Sequence, residues 1–189
     1  MLGLFFQKAQ VSAPFELLVA IIIMGFVVII GSQMLVAANQ QVCMSSVDKE
    51  MTSFKLYLED TANRKSSNKF DFQPESCFDK AKAVIRIENV ANSKQCAAKC
   101  GKPTDTCFIF TFYAPDIANG FREKCLNLPK YTSFFDDATN CSTPDSGLDL
   151  DGYKAIKPSD GIKVGSYVLR NVSSAAETYP KICVFQRSV

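Results

Sequence analysis

Histidine is missing from the 189-residue chain. That gap removes imidazole metal ligands, the usual c-type haem attachment and every catalytic triad built on a histidine base. Charge of one sign is also scarce in excess, with 21 basic and 19 acidic residues. Beyond position 40 the counts are 20 and 18, so no basic face is available for a phosphate backbone and no nucleic-acid partner is expected. There is no glycine-rich phosphate loop, no nucleophile elbow and no defensible pair of catalytic acids. A catalytic cysteine would have to work without an imidazole neighbour, so no enzymatic activity and no cofactor are expected. Helix breakers are sparse as well: no proline stands between Phe15 and Gln73, and no glycine between Ser32 and Cys100.

What the chain does have is unevenly placed. Leu17 to Gly31 are fifteen consecutive residues without a polar side chain; Ser32 and Gln33 follow, and then Met34 to Ala38. As a helix these residues span roughly 33 Å, enough to cross a bilayer core. Pro14 suits the first turn of a helix, where its missing N–H costs nothing, and Glu16 suits the positive end of the helix dipole. The helix is therefore expected to begin near Pro14. Farther on, Cys43, Val47, Met51, Phe54 and Leu58 are spaced by four, four, three and four, with Asp48, Lys49, Glu50, Lys55 and Glu59 on the other face. One helix of roughly 70 Å from about 14 to 60 accounts for both halves, against the alternative of two helices broken near Asn39–Gln41. Its first half is apolar all round and its second half amphipathic.

Residues 61–76, polar and containing Pro74, read as a connecting loop. The β-type runs 83–90, 107–113, 165–172 and 181–187 follow, separated by turn clusters at 101–105, 143–147 and 158–161. With no helical pattern between them, an antiparallel sheet is expected. The fold class is thus α+β: a long N-terminal helix, then a β-rich head over 77–189.

The residues Lys8-Ala9-Gln10-Val11-Ser12, followed by Glu16 and the apolar run from Leu17, resemble a type IV pilin. The similarity is to archaeal pilins and archaellins with a class III signal peptide, and it covers about 50 residues. It implies a leader of residues 1–9, cleaved between Ala9 and Gln10, and a mature helix over 10–60. Residues of about 15–38 would lie in the membrane before assembly and in the core of a homo-oligomeric helical filament after it. Glu16 would act in assembly, and the filament would serve surface adhesion or motility. The chain departs from the family pattern in two places. Its acidic residue would be seventh in the mature chain rather than fifth, with Pro14 fifth, and its leader is apolar. Three other readings fit the same segment: a secretory signal ending at Val36-Ala37-Ala38, a single-pass anchor for an extracellular binding domain, and a pseudopilin of a secretion apparatus. In the pilin, anchor and pseudopilin readings Lys8 precedes the span and the cysteines follow it, which places the head outside.

Eight cysteines, all beyond the apolar run, point to disulfides: Cys43, Cys77, Cys96, Cys100, Cys107, Cys125, Cys141 and Cys183. They admit 105 complete pairings. Cys100–Cys107 across the GKPTDT turn and Cys125–Cys141 are two local possibilities, and Cys43 lies on the apolar stripe where it could clamp helix to sheet. A zinc or iron–sulfur site lacks the usual spacing. Asp145, Asp149 and Asp151 cluster before Gly152 as weak calcium candidates, without the spacing of a twelve-residue calcium loop. Asn140 and Asn171 sit in N-glycosylation patterns.

Overall fold

The computed structural model describes residues 9–64, 66–74, 78–117, 119–141, 150–174 and 176–187, without the side chains of 9–13 and 138. It comprises two compact units, Met1–Val42 and Cys43–Val189. Helix α1, Ala9–Arg64, belongs to both and runs unbroken through Asn39–Gln41. It starts five residues before the expected Pro14, which lies inside it. A proline so close to a helix start forfeits only one backbone bond of the first turns, and neighbouring residues favour the helical state.

In the first unit, every large apolar side chain from Phe15 to Val36 is exposed. In the second, the stripe Cys43, Val47, Met51, Phe54 and Leu58 is buried, Cys43 with 2% and the rest with none of its surface exposed. That burial follows the 3.6-residue period.

The stripe packs on two sheets. Strands β1 (Ser67–Phe72), β7 (Gly165–Asn171) and β8 (Lys181–Arg187) run antiparallel in sequence of pairing, and β8 also pairs with β5 (Ser133–Phe135) and β6 (Tyr153–Ile156). Strands β2 (Val84–Val90), β3 (Cys107–Tyr113) and β4 (Phe121–Leu126) form the second, antiparallel sheet. Phe54 is the meeting point: its ring lies 5.3 Å from Phe70 of β1, 5.0 Å from Phe110 of β3 and 5.6 Å from Tyr167 of β7. Such contacts add to area burial, and the side chain is wholly enclosed. A smaller cluster of Val168, Phe185, Cys141 and Cys183 covers the other face of β7 and β8, so these strands read as nearly continuous apolar runs.

Two expectations are corrected and one holds with a single exception. The segment 61–76 is not simply a connecting loop, because 61–64 continue α1 and 67–72 form β1, whose only apolar residues, Phe70 and Phe72, point inward. The expected antiparallel pairing holds for every described strand pair but one, the short β5, which joins β8 in parallel. Cys96 and Cys100 lie on a further helix, α2 (Ser93–Cys100). Asn92 caps its start by accepting from the N–H groups of Lys94 and Gln95, both at 3.1 Å. Gly101 ends it at φ 64°, a left-handed backbone that glycine adopts without strain.

Candidate functional site

The chain presents two regions of functional interest, one in each unit. The first is the apolar part of α1. Its residues up to Arg64 include a window with a mean hydropathy of 2.6, none of it buried, and by length and composition this is enough to cross a membrane. Glu16 is exposed near its start, Ala9 and Gln10 begin the helix, and Ser32 turns its hydroxyl back to the Ile29 carbonyl at 2.8 Å. That back-bond lets a polar side chain ride in an apolar segment at little cost.

The second region is the disulfide-stabilised head. Cys96 and Cys100 are one helical turn apart on α2 and so share a face. On the facing sheet, Cys125 of β4 is opposite Ile109, two residues beyond Cys107 on β3, so Cys107 and Cys125 share a face as diagonal neighbours. The two pairs match, giving Cys96–Cys107 and Cys100–Cys125. Cys141, at the end of the short helix α3 (Ala138–Cys141), reaches Cys183 in the centre of β8. The local pairings Cys100–Cys107 and Cys125–Cys141 are therefore replaced, because α2 and the β3–β4 register decide which sulfurs meet. Cys43 is buried and also disulfide-bonded, while Cys77 lies outside the described residues.

Polar contacts tie α1 into the head. Lys124 pairs with Asp48 at 2.8 Å, and the Asn127 backbone N–H donates to Glu59 at 2.6 Å. The Asn171 side-chain N–H group donates to the carbonyls of Thr61 and Ala62, at 3.2 and 3.1 Å, near the end of α1. The nitrogen that a glycan would use is therefore engaged and half-buried. Asn140 is exposed, with its backbone and side-chain nitrogens donating to Asp137. The side-chain and backbone bonds from Asn140 hold the Asp137 carboxyl below its ordinary value. Of the calcium candidates, Asp145 and Asp149 lie outside the described residues and Asp151 is exposed. Among the described residues no group of three or more potential metal-binding side chains is assembled.

One surface was not marked by any motif. Where the 101–106 turn faces the 127–130 loop, a groove of about 540 Å³ is lined by Lys55, Asn63, Lys102, Thr104, Asn127 and Lys130, with the Cys100–Cys125 bridge among its walls. Tyr131 and Tyr179, both about half exposed, meet edge to face at 4.6 Å, and they join the groove through Lys130 of its lining, whose ammonium stands 5.6 Å from the Tyr131 ring. These residues are distant in sequence and carry no spacing signal.

No family model, characterised protein or solved structure matches the chain. The long apolar helix followed by a disulfide-bonded β-sheet head is compatible with a pilin-like or membrane-anchored extracellular protein.

Proposed function

We propose that the chain is a structural subunit of a type IV pilus-like extracellular filament, without catalytic activity of its own. The observation that carries this reading is the unbroken α1, whose exposed apolar segment continues into the helix at the centre of the head's core. A fully buried large apolar side chain gains about 1.5–3 kcal/mol. Sixteen of them, from Phe15 to Val36, bring the cost of leaving the segment in water to tens of kcal/mol. Lipid meets that demand before assembly, and the helices of other copies meet it afterwards. Glu16 is tolerable near the headgroups but needs a partner in a dry core. In the resemblance to archaeal pilins, that partner is the amino terminus of a neighbouring copy, exposed by cleavage between Ala9 and Gln10.

Intact mass and electron microscopy with an antibody to the head test the proposal. A mature chain beginning at Gln10, together with regularly labelled filaments, supports it. Glu16→Gln is expected to deplete filaments while leaving the membrane-inserted pool intact. A start at Asn39 would mean a secreted protein. An intact Met1 with uniform membrane labelling would mean a single-pass anchor carrying an extracellular domain.

A further inference from the structure

We propose that the groove between the 101–106 turn and the 127–130 loop, with the adjoining Tyr131–Tyr179 pair, binds a sparsely carboxylated oligosaccharide. Its size lies within the range of pockets that hold small organic ligands. The two tyrosines offer apolar ring faces with polar tips, and the C–H face of a sugar ring can lie on such a surface. Within the groove, Thr104, Asn63 and Asn127 supply hydroxyl and amide groups matched to sugar hydroxyls. The charge pattern then selects among polar ligands. Lys55 is paired with Glu59 and Lys130 with Asp105, whereas Lys102, among the described residues, contacts only the Asn127 amide oxygen, at 3.1 Å. One uncompensated ammonium suits one carboxylate. A phosphate polymer carries a charge every few ångströms and wants a stripe of cations, which the highly exposed Asp105 on this rim opposes.

The site is also built rigidly, which lowers the ordering cost of binding. The Cys100–Cys125 bridge fastens the base of the turn to the strand that leads into the loop. Glu59 holds the Asn127 backbone, and the Thr132 hydroxyl donates to the Pro129 carbonyl at 2.8 Å to close the loop. Tyr179 is fixed by the Ser173 hydroxyl, which donates to its carbonyl at 3.1 Å. The inference rests on the head facing outward and not on filament formation, so an unassembled chain leaves it standing.

The test is calorimetric titration of the full-length protein in detergent micelles with sialyllactose, a trisaccharide bearing a single carboxylate, and with maltotriose and a short single-stranded DNA. Saturable binding of the acidic trisaccharide is expected, weakened about tenfold by Lys102→Gln, the size of one charge-assisted hydrogen bond. Tyr131→Ala should weaken it similarly, Tyr131→Phe should retain it, and Lys154→Gln, on the exposed face of β6, should leave it unchanged. Matching far-UV circular dichroism and melting temperature show that each variant is folded. The proposal is overturned by absence of saturable binding or by equal affinity of all variants. Equal affinity for maltotriose, or tighter and steeply salt-dependent binding of DNA, overturns it as well.

Discussion

Asn171 shows how one side chain can complete an element far away in sequence. The last carbonyls of a helix have no partner within it, and two of those near the end of α1 are met by this amide. Asn171→Ala removes both bonds from a half-buried site and is expected to cost about 1–3 kcal/mol. Asn171→Asp should cost more, because a carboxylate cannot donate and would face the negative end of the helix dipole. Urea unfolding of the two variants measures the order, and an Asp variant as stable as the parent would refute the capping role. Asp137 supplies a pH-dependent counterpart at the start of α3. Its carboxyl is held low by the bonds from Asn140, so its contribution is fully present above the unfolded value and fades as pH falls through the lower, folded one. Below about pH 4, the ordinary carboxylate range, the Asn140 backbone N–H should lose protection against exchange relative to its intrinsic rate at each pH, and Asp137→Ala should remove that protection at every pH.

Among the elements, the disulfides differ most in their access to solvent. Cys141 and Cys183 are both buried, whereas Cys100 and Cys125 are half-buried beside the open groove. Exchange requires a thiolate to reach a sulfur, so mild reductant should open Cys100–Cys125 first and Cys141–Cys183 last, as read by alkylation and peptide mass. Each bridge closes a chain separation of 11 to 42 residues and contributes about 3–4 kcal/mol in the chain-entropy picture. These pairings could not be read from the sequence, because they depend on the α2 face and on the β3–β4 register. The amphipathic half of α1 was legible, since Val47, Met51, Phe54 and Leu58 repeat with the helical period through a tract free of glycine and proline. Strands β2, β3, β7 and β8 were legible because their β-branched and aromatic runs are buried. Strand β1 was not, with only Phe70 and Phe72 among polar neighbours, and α2 was hidden in a run of lysine, alanine and cysteine. Its caps, Asn92 and Gly101, were the signal that could have shown it. The groove is assembled from loops that share no pattern, so nothing local announced it.

At the scale of the molecule, all the buried apolar residues of the head lie at or beyond Cys43. A chain beginning at Cys43 is therefore expected to fold, oxidise and melt cooperatively without detergent, while the full chain needs detergent to stay dispersed. Size-exclusion chromatography and thermal circular dichroism check both, and an aggregated or unfolded fragment would show that the head depends on the apolar segment. The placement of β8 carries a consequence in time. This strand, the last described, forms the middle of its sheet by pairing with β5, β6 and β7, and it carries the partner of Cys141. Synthesis delivers it after every other described strand, so the larger sheet has no centre while earlier thiols and strand edges are already present. Pairings so distant in sequence form slowly and leave intermediates prone to wrong partners. The newly made chain therefore has an interval in which its early cysteines can cross-link incorrectly, and its yield should depend on an isomerase that keeps those bonds exchangeable until β8 arrives.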